Sequence, residues 1–194
     1  MAPRNLVIHG YETSNNLKVL LALSYKGIAH EFRKIDPSAR EEIVRISGQF
    51  LTPVMVHGET VLFDSAAILR YLDANFPDTP KLYGTDKQQQ WEIEDWERFG
   101  RGALAEPMMR VVHGGTAVTP AVRADAEAAF AGAVQRLEAR LEGRSWLVGD
   151  ALTAADLTCG AVIYRIRSSG MLPWPAGCPR SEDLSARVMA LRRP

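Results

Sequence analysis

Cysteine is nearly missing from this chain: there are 2 in 194 residues, Cys159 and Cys178. Their separation matches neither a Cys-x-x-Cys redox pair nor a zinc-ligand spacing, which argues against a disulfide scaffold and against a metal site. No run approaches the roughly 20 apolar residues of a membrane span, and the start, MAPRNLVIHGYE, lacks the long apolar stretch of an export signal. The expectation is a soluble, cytoplasmic protein without a membrane partner. Charge of one sign is also lacking, since 23 basic residues balance 23 acidic ones, so nothing in the composition calls for nucleic acid. Neither internal repeats nor low-complexity tracts occur.

What is present is enough apolar material, 46% of residues, to bury a core in a chain whose length fits two small domains. Residues 1–78 alternate between strand and helix patterns. NLVIHG reads as a β-branched strand, and NNLKVLLALSYKG as a helix with Leu17, Leu20, Leu21 and Leu23 on one face and Gly27 as its stop. AHEFRKID predicts a second strand, and PSAREEIVRI a helix with Pro37 near its start. TPVMVHGETVLFD predicts a hairpin in which Val54–Val56 face Val61–Phe63 across a two-residue type II′ turn. DSAAILRYLDANF then reads as a helix capped by Asp64 or Ser65, with Ala67, Ile68, Leu69, Leu72 and Phe76 apolar.

After Phe76 the pattern changes. PDTPKLYGTD reads as a linker, placed at 79–86, and everything from 87 to 194 is patterned as helix or proline-broken loop. DKQQQWEIEDWERFGRGALAEPMMRVV predicts one long helix capped at Thr85 or Asp86, and TPAVRADAEAAFAGAVQRLEARLEG a second, with Pro120 at its start and Gly143 as its stop. LTAADLTCGAVIYRIRS carries a full start signature: Thr153 at the cap, Asp156 three residues on, and Leu152 with Leu157 as a staple. Its apolar body predicts a buried helix, and one short helix closes the chain.

Four segments, LTPVMV, FDSAAILRYL, GDALTAADL and TSNNLKV, occur in an order that resembles the glutathione transferase superfamily over nearly the whole chain. The resemblance implies an α/β thioredoxin-like N-terminal domain followed by an all-α helical domain. It implies glutathione as co-substrate, a small electrophile as second substrate, a homodimer and a role of the detoxification type, with no metal. The proline of the Thr-Pro step is cis in this family, and Thr52 would pair with the cysteinyl backbone of glutathione as a short added strand. At the helix start, Ser65 and the backbone N–H groups would meet the γ-glutamyl carboxylate, and Asp64 the ammonium. The same two residues serve equally as ordinary caps, each contributing about 1 kcal/mol.

The triplet Thr13-Ser14-Asn15 is where the thiol would be activated. A free thiol with a pKa near 8.5 needs about 1.4 kcal/mol of thiolate stabilisation for each unit of lowering. By the family register, counted back from Val19, the donor falls on Thr13, and the Asn of the related pattern falls on Asn15. Ser14 is one position off, and Tyr11 is a further candidate of the strand-end type. Caps and turn formers would use the same residue types. Where the family places a polar side chain for the glycyl carboxylate, GQFLTP has Leu51. Gln49, Arg40 or Arg45 would substitute. The second-substrate pocket would draw on Tyr11, Met108, Met109 and Val112, the methionines for their adaptability. Thr153 and Asp156 read as structure only.

Overall fold

The computed structural model describes residues 5–192. The first four residues, part of the segment read for an export signal, and the last two lie outside the described residues. Among the described residues the chain separates into two compact units, one of residues 5–82 joined by residues 191–192, the other from Tyr83 to Ala190.

In the first unit the order is β1 (Leu6–Gly10), α1 (Ser14–Lys26), β2 (Glu31–Lys34), α2 (Glu41–Ser47), β3 (Val54–His57), β4 (Thr60–Leu62) and α3 (Ser65–Asn75). The sheet order is β2-β1-β3-β4. β1 runs parallel to β2 and antiparallel to β3, in the register Ile8↔Phe32 and Ile8↔Met55. This is the thioredoxin-like βαβ-ββα arrangement. All five residues of β1 are buried, whereas the edge strand β2 exposes all four of its residues, Glu31, Phe32, Arg33 and Lys34. Charges on an edge strand discourage pairing with another chain.

The hairpin pairs His57 with Thr60 across Gly58-Glu59. Gly58 has φ +64° and Glu59 a negative φ, as a type II′ turn requires. Phe63 falls outside β4. Pro37 also differs from expectation, since α2 begins only at Glu41. The Asp36 carboxylate instead accepts from the Ser38 hydroxyl (2.7 Å) and N–H (2.8 Å), closing a turn that spends the residues assigned to the helix start. Those bonds, the hydroxyl first, hold the Asp36 carboxyl below its usual range.

α1 ends at Gly27, whose φ of +66° makes a left-handed stop. In its last turn the buried Lys26 reaches the Asp73 carboxylate (2.7 Å) and the Pro80 carbonyl (2.8 Å). Asp73 also accepts from the Leu82 N–H (2.9 Å), so the segment read as a linker is partly tied down, and Leu82 is buried.

The second unit is helical: α4 (Lys87–Phe99), α5 (Glu106–Gly114), α6 (Pro120–Arg140), α7 (Ala154–Ser169) and α8 (Pro179–Met189). The sequence pattern of one helix through residue 112 is interrupted by a π-helical turn, Gly100–Leu104. Pro107 has no N–H for the carbonyl of Ala103 and would press on it, which breaks the α-register there. Gly100 lies against α7 so closely that a Cβ would crowd Thr158 and Cys159. α7 is the core of this unit, with eleven buried residues. Glu138 of α6 accepts from the N–H groups of Arg180 (3.0 Å) and Ser181 (2.8 Å), satisfying the start of α8. Burial acts to raise that carboxyl, but these bonds together outweigh it and bring it below its usual range. No helix among the described residues is long and apolar enough to cross a membrane.

Candidate functional site

Three polar chain ends of the first unit meet: the turn from β1 into α1, the Thr52-Pro53 step before β3, and the start of α3. Thr13 is the cap of α1, extended at φ −119°, and its Oγ1 accepts from the backbone N–H of Asn16 (3.3 Å). The Asn16 side chain adds a second bond to the same oxygen, its Nδ2 donating at 2.8 Å. That Nδ2 also donates to Thr52 Oγ1 at 2.9 Å, joining the first loop to the second. The Thr52–Pro53 peptide is cis. Ser65, the first residue of α3, donates to Asn15 Oδ1 at 3.3 Å, joining the third. Asp64 caps α3 by accepting from Ala67 N–H at 2.8 Å.

The placement of the candidate residues is therefore uneven. Thr13 and Thr52 are joined through Asn16, and Asn15 and Ser65 form a second hydrogen-bonded pair at the adjacent residue of α1, with Thr13 and Ser14 half-buried and Asn15 exposed. Pro53 is buried. Tyr11 turns toward α2: its hydroxyl accepts from Arg40 Nη2 (2.8 Å), the guanidinium lies 5.2 Å from the ring centroid, and the ring packs on Ile35, Ile43 and Val54. Arg40 is thereby engaged, since its Nε and Nη1 also donate to the carbonyls of Pro37 and Phe50.

Gln49 does not extend outward. Its amide nitrogen donates to Ser47 Oγ (2.7 Å) and to the Leu51 carbonyl (3.0 Å), and its oxygen accepts from Leu51 N–H. The side chain builds the loop, and Leu51 stands 68% exposed at its tip. Met108, Met109 and Val112 lie on α5 of the helical unit, Met108 half-buried and the other two exposed. Within the first unit a cavity of about 520 Å³ opens between α1 and β2, lined by Tyr11, Glu12, Leu17, Leu20 and Phe32, with Arg192 beside it.

Asn16 is the residue that the sequence pattern does not reveal. It is fully buried, and its Oδ1 has no hydrogen-bond partner among the described residues. A buried acceptor left unmatched costs about 1–3 kcal/mol, so the amide is held there by what its NH₂ group binds. The only local signal was an Asn three residues after a capping Thr.

A helix-start hydroxyl, the Thr52-Pro53 loop and a second helix start thus lie side by side on this sheet. Residues 8–80 match the family model for the glutathione S-transferase N-terminal domain, and residues 120–181 that for the C-terminal domain. The chain belongs to the glutathione S-transferase superfamily. It is 28% identical over 167 residues to elongation factor 1-gamma 2 of Oryza sativa subsp. japonica, covering 82% of this chain but 40% of that protein. It is also 28% identical over 165 residues to the glutathione S-transferase-like protein LUC7 of a Fusarium species, covering 81% of this chain and 75% of that protein. Among solved structures, Ure2p in complex with glutathione shares the fold at a TM-score of 0.84 and 20% identity, over 100% of this chain and 97% of that one.

Proposed function

We propose that the protein is a glutathione transferase: it binds glutathione in the first unit, lowers the pKa of its thiol at the start of α1, and lets the thiolate attack a small apolar electrophile. The observation that carries this reading is the cluster Thr13–Asn16–Thr52 with Asn15–Ser65. It gathers on one surface a hydroxyl, an extended loop and a helix start, matched to the sulfur, the backbone and the γ-glutamyl carboxylate of one tripeptide.

In this reading Thr13 donates to the sulfur. Both hydrogen bonds it accepts come from Asn16, so its own proton is left to point away from the helix, and a hydroxyl that accepts two bonds is a stronger donor. Asn15 and Ser14 flank it. One such donor with the positive end of α1 supplies about one to two units of thiol pKa. Thr52 pairs with the cysteinyl backbone beside Pro53, Ser65 and the first turn of α3 take the carboxylate, and Asp64 takes the ammonium. The thiol proton passes to solvent, the sulfur lone pair forms the new bond, and any leaving group departs with its bonding electrons. Tyr11 supplies apolar surface for the electrophile in the first unit; in the helical unit Met108, Met109 and Val112 offer apolar side chains on α5. A cytoplasmic homodimer belongs to the same proposal.

A second reading, a protein that binds glutathione without turnover, is favoured by one feature. The position for the glycyl carboxylate carries the exposed Leu51, with Gln49 spent on the loop. Titrating the thiolate absorbance of glutathione with and without the protein separates the two. A bound thiol ionising at least one unit lower supports the transferase; binding with no shift supports the second reading; no binding overturns both.

A further inference from the structure

We infer that Asn16 is a positioning residue that sets the direction of the Thr13 hydroxyl, and that Gly10 is glycine in order to leave room for it. The inference rests on Thr13 as the thiol's donor. A hydroxyl oxygen has two lone pairs and one proton. With one pair facing the Asn16 backbone N–H and the other facing Asn16 Nδ2, the proton has no inward acceptor in that amide group. The second Nδ2 proton reaches Thr52 Oγ1, which fixes the amide plane and ties the donor turn to the cis-proline loop. The amide's orientation is thus held at both ends, and its Oδ1 is turned instead against the end of β1.

Gly10 supplies the second observation. A Cβ built there would overlap Asn16 Oδ1. Gly10 is not among the glycines with positive φ, so its backbone accommodates alanine, and what excludes a side chain is the Asn16 amide. Residues 10, 13, 16 and 52 therefore form one device spread over two loops, a strand end and a helix.

The nearly isosteric Asn16→Asp exchanges a donor for an acceptor. The carboxylate draws the Thr13 proton inward and adds a negative charge beside the sulfur. The measurement is the pKa of the bound glutathione thiol, read from thiolate absorbance, in folded protein checked by circular dichroism. Expected are a rise of about one unit, tenfold less thiolate at a given pH below the pKa, for Asn16→Ala, and a larger rise for Asn16→Asp. In a Thr13→Ala background Asn16→Ala should add nothing.

Gly10→Ala tests the same device without touching a polar residue. It should raise the thiol pKa in the parent protein and have no effect on top of Asn16→Ala, where the space is open. If Thr13→Ala raises the thiol pKa while Asn16→Ala, Asn16→Asp and Gly10→Ala leave it unchanged, Asn16 positions nothing and the inference falls while the transferase reading stands. If Thr13→Ala itself leaves the pKa unchanged, the assignment of the donor falls and the inference with it.

Discussion

Two helix starts in this molecule share a Thr with a short amide or acid three residues on, and they do opposite things with it. At α7 the acid is Asp156. Its carboxylate accepts from the Thr153 N–H (2.8 Å), the Thr153 hydroxyl (2.7 Å) and the Leu147 N–H (2.8 Å), so the threonine proton is consumed inside a fully buried, closed box. At α1 the residue is Asn16, which donates to Thr13 and to Thr52, so the threonine proton is left over. The difference between acceptor and donor at one position separates a cap whose hydroxyl proton is spent inside the box from one whose hydroxyl proton is available to the ligand proposed above.

The largest effect expected from breaking this contrast is at the closed box. Asp156→Ala leaves three buried donors unmatched and should lower the unfolding free energy of the helical unit by about 3–5 kcal/mol, measured by urea denaturation. Asp156→Asn, which keeps the shape and one carbonyl, should cost less. Glutathione binding by the folded fraction should be unaffected in both.

Next in size is a dependence on pH. Burial pushes the Asp156 carboxyl up from an ordinary 3.8 to about 6, against the hydrogen bonds that favour its charged form. Below about pH 4 both folded and unfolded chains carry the proton; between about 4 and 6 only the folded chain keeps it. Its contribution to stability therefore falls as pH rises through that window, by about 3 kcal/mol in total. The check is the difference in unfolding free energy between the parent and Asp156→Asn across pH 4–7, a region where a flat difference would contradict the buried, raised carboxyl.

At the open cap the expected effects are smaller and split between stability and ligand. Thr13→Ala should cost about 1 kcal/mol of stability through the lost cap. It should also raise the bound thiol's pKa by about one unit, whereas Thr13→Ser should preserve both. The smallest effect belongs to Ser65→Ala. Its bond to Asn15 is long at 3.3 Å, and the start of α3 keeps its Asp64 cap, so glutathione affinity measured by calorimetry should fall only about three- to tenfold.

The same contrast shows what a sequence reader could and could not see. The Thr153–Asp156 pair is a local pattern whose partners lie within a few residues, and so are the caps at Asp64 and Asp86 and the stop at Gly27. Asn16 escaped because its meaning depends on Thr52, 36 positions away, and on the missing side chain of Gly10. Gln49 looked like a side chain free to reach a carboxylate, yet it found both halves of the Leu51 backbone within its own loop. Pro37 looked like a helix start, yet Asp36 captured Ser38 first.

Hydrophobic periodicity, turn chemistry and caps were enough to determine the strand–helix order of the first unit, its hairpin and the change to a helical second part, because these rest mainly on interactions between residues close in the chain. Tertiary structure decided which polar groups face one another. It brought residues 13, 16, 52 and 65 together, gave Asn16 its two acceptors and turned Gly10 into a space. Hydrogen-bond direction is fixed only when donor and acceptor meet, and here they meet across chain separations that local sequence patterns do not encode.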